Sequence, residues 1–146
     1  MEKSNLFRLT FICLVVVHFF NVIEQCSGGI TGWMGILLIK LHHKFTMLPS
    51  ITINDSYIMV FFLFLLIAMI VVGTFVFIEI EWSRVFALIL ASFDFFYGLA
   101  HLSLGIYFRA YVPGMFTGTT IIMLSFLVIY FDYLQMNPLK NKNESV

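Results

Sequence analysis

Four stretches of the chain are apolar over the length a helix needs to cross a bilayer: residues 6–24, 57–78, 85–108 and 115–133. Each comes close to the roughly 20 residues that carry a helix through about 30 Å of hydrocarbon. Inside the second, the run MVFFLFLLIAMIVVGTFVF holds no ionisable side chain. Trp82 and Arg84 flank the third span on one side, Arg109 and Tyr111 on the other, as suits the headgroup region. The connections 79–84 and 109–114 are short enough to force antiparallel neighbours, and Pro113-Gly114 breaks the helix before the fourth span. The pattern predicts an all-α integral membrane four-helix bundle. Residues 1–137 form one four-span domain and 138–146 a polar tail.

The connection from Gln25 to Ser56 differs. After Gly28-Gly29 it carries WMGILLIKLHHKF and then a turn region around Pro49 and Asn54-Asp55. That middle segment is too short to span, and Lys40, His42, His43 and Lys44 gather at one end of it. It predicts an interfacial or re-entrant helix. His42 and His43, adjacent on such a helix, point apart and lack metal-ligand spacing. Lys3, Arg8, Arg84, Lys140 and Lys142 fall on the side of the termini, against Lys40, Lys44 and Arg109, which favours cytoplasmic termini. The first span follows basic residues as a signal peptide would. EQCSG is a poor cleavage site, however, and His18 and Asn21 interrupt the apolar core, so a retained helix is expected. The sequons at Asn54 and Asn143 lie beside a span and on the cytoplasmic tail, and neither is expected to carry a glycan.

Composition agrees: 61% of residues are hydrophobic and 11% charged, where a soluble domain carries roughly 25% charged residues. Net charge is zero with the basic residues scattered singly, which excludes a nucleic-acid partner. Cys13 and Cys26, on one helix, would stand about 20 Å apart, too far to bridge.

Candidate chemistry lies inside the spans. At about 100° per residue, Asp94, Tyr97, His101 and Gly105 share a face of the third helix, with Gly98 beside them. Phe, Leu and Ile occupy the other side. An intramembrane Asp costs about 2.5–3.5 kcal/mol on insertion scales, so this face must meet protein or water. In the first span His18, Asn21 and Gln25 share a face, with Glu24 about 60° away. Counting back from Glu24 and Arg109 as helix ends places His18 and His101 within about 3 Å in depth. Both would then line one polar cavity, with Asp94 deeper and Tyr111 at its mouth. The competing reading is plain helix-to-helix hydrogen bonding by buried Asp and His, which is the first reading for Asn21. Tyr97 and Tyr107 read as packing. Thr117, Thr119, Thr120 and Ser125 read as bonding back to their own helix.

His101, nine intervening residues and then Tyr111-Val112-Pro113-Gly114 resemble the second motif of the HXXEE-domain family of small bacterial membrane proteins, N-x-x-x-H followed by Y-x-P-G. Tyr97 stands where that family has Asn. Asn21-Val22-Ile23-Glu24-Gln25 stands where its H-x-x-E-E belongs and keeps only Glu24. His18, one turn earlier on the same face, is placed to supply an imidazole. The resemblance implies a multi-pass protein of the bacterial plasma membrane with a polar intramembrane site, in a family whose biochemical role is unknown.

Two classes of function follow. In the first, Glu24 and His101, with Asp94 and His18, do acid/base work on a lipid or other apolar molecule, and Asn21, Gln25, Tyr97 and Tyr111 bind it. A metal-dependent variant has His18, Glu24 and His101 hold a divalent ion such as zinc or iron. No G-x-S-x-G or phosphate loop points to a more specific reaction. In the second class the chain is a non-enzymatic apolar-ligand binder, or an accessory or immunity-type subunit. Its 18 Phe and 8 Met would then pack against the bilayer, a further copy or a membrane partner. The two motif groups missing from the first span favour this second class. A channel or transporter would need oligomers, since four helices enclose little space and no internal repeat is visible.

Overall fold

Hydrocarbon offers peptide groups no hydrogen-bond partner, so an apolar run in a membrane folds as a helix that satisfies its own backbone. The computed structural model describes residues 3–28, 43 and 55–136. They fold as four long helices: α1 (Lys3–Gly28), α2 (Asp55–Phe77), α3 (Glu81–Phe108) and α4 (Met115–Met136). The shortest has 22 residues, about 33 Å at 1.5 Å per residue, and all four are long and apolar enough to span a bilayer. The fold is the expected all-α membrane bundle. The anticipated interfacial segment apart from His43, together with Asn54, Asn143 and the tail, lies outside the described residues.

Buried positions recur in steps of four and three. On α1 they include Phe7, Phe11, Leu14, His18, Asn21 and Gln25, with Thr10 and Val22 beside them; on α3, Ser83, Ala87, Ala91, Asp94, Gly98, His101 and Gly105; on α4, Gly118, Ile121, Ser125, Val128 and Asp132. That 3.5-residue period is the seam of a left-handed helical bundle. Successive helices alternate in direction, α4 closes against α1, and α3 and α4 pack most closely of all. Along the seam the bundle changes character. Phe7, Phe11, Leu14, Met69, Val72, Ala87, Ala91, Ile121 and Val128 make an apolar core in one half. The polar positions of α1 and α3 fill the other. Outward, Phe64, Phe96 and Ile106 are each about 70% exposed, a surface that suits lipid.

Two helices end on a left-handed residue that is not glycine. Glu79 (φ 67°) closes α2 and Arg109 (φ 51°) closes α3. In both, the following N–H reaches back five residues (Ile80 to the Phe75 carbonyl, Ala110 to the Gly105 carbonyl), the Schellman arrangement. Beyond Arg109 the chain folds in over the bundle, burying Val112, Pro113 and Gly114. At the opposite end Arg8 meets Glu79 at 2.6 Å. Arg84 pairs with Asp132 and lies over the Phe7 ring at 5.9 Å. Asp132, 5% exposed, is absent from the residues singled out in the sequence. The opposite charges of Arg84 and Asp132 on antiparallel neighbours were the available signal.

Candidate functional site

Helices α1 and α3 stand diagonally across the bundle and run parallel, which sets their polar faces in register. His18 faces Asp94, Nδ1 to Oδ1 3.2 Å, and Asn21 accepts the Tyr97 hydroxyl at 3.0 Å. Gln25 and His101 meet beside Gly114. The offset is 76 residues at each level. The expectation that His18 and His101 share a depth is therefore wrong: seven residues of helix, about 10 Å, separate their levels. Part of the error lies in the helix ends, and the rest in the register between the two helices. α1 continues past Glu24 to Gly28, and Gln25, taken as the start of the connection, is helical and donates to Asn21 Oδ1 one turn back.

At the deepest level His18 and Asp94 are both fully buried. They are within ion-pair distance, yet the angles of a hydrogen bond are not met, and none of their four polar atoms has a hydrogen-bond partner among the described residues. Tyr97 links the levels, its ring 6.4 Å from His18 and 4.6 Å from His101 between centroids. From its hydroxyl a chain of hydrogen bonds runs to the rim. Tyr97 donates to Asn21 Oδ1, and Asn21 Nδ2 donates to Thr117 Oγ1 at 2.6 Å. Thr117 donates to Glu24 Oε2 at 2.6 Å.

Glu24 is half-buried and fully engaged. Its Oε2 also accepts the Thr117 backbone N–H at 3.3 Å, and its Oε1 accepts the Tyr111 hydroxyl. Thr117 is the third residue of α4, where N–H groups lack helical partners and the helix dipole favours an anion. A carboxylate on α1 thus caps α4 and anchors the 109–114 turn. Thr119 and Thr120 bond back to Met115 and Phe116 as expected. Thr117 does not, and Ser125 Oγ has no partner among the described residues. A threonine three residues after Pro-Gly, at a helix start, was the signal for Thr117.

Gly114 explains the Pro-Gly. Its φ of +86° favours glycine. A Cβ there would come within 3.1–3.2 Å of Asn21 Nδ2, Gln25 Nε2 and His101 Nδ1. His101 is 6% exposed, lies beside the Pro113 carbonyl, and its Nδ1 has no hydrogen-bond partner among the described residues. The sequence candidates Glu24, His18, Asp94, His101, Asn21, Gln25, Tyr97 and Tyr111 thus form one column, with Tyr111 at its exposed mouth.

Among the described residues no three His, Cys, Asp or Glu side chains come together as ligands. His18 is two turns from the level of His101, and Glu24 is held by α4.

Tyr111 carries a measurable signature. Donating to Glu24, and facing its charge, pushes the phenol up to about 12 from its ordinary 10. The neutral hydroxyl is the bonded form, so this bond's contribution is intact below pH 10 and is lost as pH rises through about 12. Wild type minus Tyr111→Phe, titrated by tyrosinate absorbance, should show Tyr111 ionising only near pH 12, and Glu24→Gln should return it toward 10. An unchanged titration in Glu24→Gln would show that the bond is absent in the membrane protein.

A family model described as a protein of unknown function with HXXEE motif matches residues 9–130, which encloses the whole column. No curated protein and no solved structure matches the chain. With 9–130 of its 146 residues matched, the chain belongs to the HXXEE family.

Proposed function

We infer that this membrane protein carries an intramembrane acid/base site acting on a lipid or another apolar molecule. His18 and Asp94 are the proton-exchanging pair, and the chain Tyr97–Asn21–Thr117–Glu24–Tyr111 ties their surroundings to the rim. One observation carries this reading: a carboxyl and an imidazole 3.2 Å apart and fully buried, whose four polar atoms make no hydrogen bond among the described residues. Groups kept only to hold helices together are expected to use their hydrogen bonds, and the exceptions concentrate at working sites. His101, nearer the rim and beside the Pro113 carbonyl, is a second acid/base group. Glu24 serves better as the clamp that shapes the site. The count of basic residues supports placing the termini on the cytoplasmic side of a bacterial plasma membrane.

A second reading is favoured by the engagement of Glu24: the motif carboxylate caps α4, as it would in a non-enzymatic ligand binder or accessory subunit. One experiment separates the two. Proteoliposomes made from a total lipid extract of the expression host are incubated in deuterated water, and the lipids are analysed by mass spectrometry. The acid/base reading expects solvent deuterium, or a mass change, in one lipid class. His18→Gln and Asp94→Asn should each slow it at least about 100-fold. If wild type alters no lipid, the binding reading replaces it.

A further inference from the structure

The Arg8–Glu79 pair bridges α1 and α2 at the end of the bundle away from the polar column; one cavity opens at the pair and a second lies further along the same two helices. One, about 420 Å³, is lined by Ser4, Arg8, Glu79, Glu81, Ser83 and Arg84 among others. The other, about 300 Å³, is an apolar crease on the α1–α2 seam one to two turns deeper, lined by Ile12, Val15, Val16, Ile70, Gly73 and Phe77 among others. A Cβ at Gly73 would meet Phe11 and Val15 at 3.7 Å, an ordinary contact, so close packing of α1 does not demand that glycine. What the glycine leaves is depth in the crease.

We propose that this seam binds one phospholipid with a primary-amine headgroup, of the phosphatidylethanolamine type. Its acyl chain lies in the crease, its phosphate on Arg8 and its ammonium on Glu79. The charges of the lining select for a zwitterion. Arg8 is paired with Glu79 and Arg84 with Asp132, and Glu81 also lines the cavity, so an anionic lipid meets at least as much repulsion as attraction. The bonding capacity also fits. Arg8 uses Nη2 for both Ser4 (2.8 Å) and Glu79 (2.6 Å), which leaves Nη1 and Nε without a bond among the described residues. Glu79 meets Arg8 through Oε1, and its side chain is 67% exposed, which leaves the carboxylate open to a further donor. A primary ammonium donates hydrogen bonds to that carboxylate and a quaternary one cannot. Finally, Glu79 occupies a left-handed position that glycine or asparagine would take at lower cost. The side chain that this strain holds in place reaches Arg8 across the seam.

The test is native mass spectrometry of the delipidated full chain, given equimolar phosphatidylethanolamine, phosphatidylcholine and phosphatidylglycerol with identical acyl chains. The ethanolamine lipid should lead by about tenfold, the worth of one charge-assisted hydrogen bond. Glu79→Gln should remove the ethanolamine lipid's lead over phosphatidylcholine. Val16→Phe, at a lipid-facing position that the fold tolerates, should fill the crease and weaken all three, as should Arg8→Gln. Equal retention of the ethanolamine and choline lipids by wild type would overturn the proposal. So would tightest binding of phosphatidylglycerol, or an ethanolamine preference that survives Glu79→Gln. If Arg8→Gln fails to fold, Glu79→Gln and Val16→Phe decide the matter.

Discussion

Replacing Gly98 with alanine is expected to destabilise the bundle by about 3 kcal/mol, whereas Gly118→Ala, on the helix facing it, should fall between neutral and about 1 kcal/mol more stable. The asymmetry comes from what each new methyl group meets. At Gly98 it would lie 2.6 Å from the Gly118 carbonyl oxygen and 2.8 Å from Ile122 Cγ1. The first is backbone and cannot turn aside, so α3 must move off α4 where the two pack most closely. At Gly118 the nearest atoms are His101 Cβ at 3.5 Å and Gly98 Cα at 3.6 Å, which is normal contact distance. Two glycines that look alike in sequence, each at a seam position, thus differ because only one points its missing side chain at a peptide group. Helix association in lipid rests on such close approach. Gly98→Ala should also shift His101 and Tyr97, its neighbours on α3, away from Gly114 and Asn21. Reversible unfolding of the two variants in detergent measures both effects. Equal costs at the two positions would mean that the α3–α4 approach is looser than described.

Much of this was legible in the sequence because it depends on periodicity. The spans follow from apolar length, and the polar faces of α1 and α3 from helical spacing. His18, Asn21 and Gln25 are all buried, as are Asp94 and His101. What could not be read was register between helices, since nothing in one helix states which level of another it meets. The depth estimate for His18 and His101 failed partly for that reason and partly because α1 runs on to Gly28, and among the described residues His18, Glu24 and His101 do not come together as ligands. The role of Thr117 was hidden by a sound default, because most membrane threonines bond back to their own helix, as Thr10, Thr74, Thr119 and Thr120 do. Gly114 shows the limit from the other side. Sequence marks it as a helix breaker, and only the fold shows that three nitrogens crowd the space a side chain would take.

Asp94→Leu alone should destabilise the protein by about 3 kcal/mol, because it leaves the His18 imidazole buried opposite hydrocarbon. The value belongs near the lower end of what broken buried pairs cost, since imidazole has a neutral form to fall back on. His18→Leu should cost a similar amount and strand the carboxyl instead. Changing both residues to leucine removes the two polar groups together. Position 18 lies one step beyond Leu14 in the seam, and position 94 one step beyond Ala91, so the apolar core would simply extend one level toward the rim. The double variant should therefore recover most of the loss, and the cycle should give a coupling of about 2–3 kcal/mol, as for residues in direct contact. Unfolding of all four proteins in the same detergent measures it. Additive losses would mean that the two groups do not face each other and would dissolve the pair on which the acid/base reading stands. Strong coupling joined to a stable double variant that no longer alters any lipid would separate stability from function. It would show that a bundle able to do without this pair at its core carries it for chemistry.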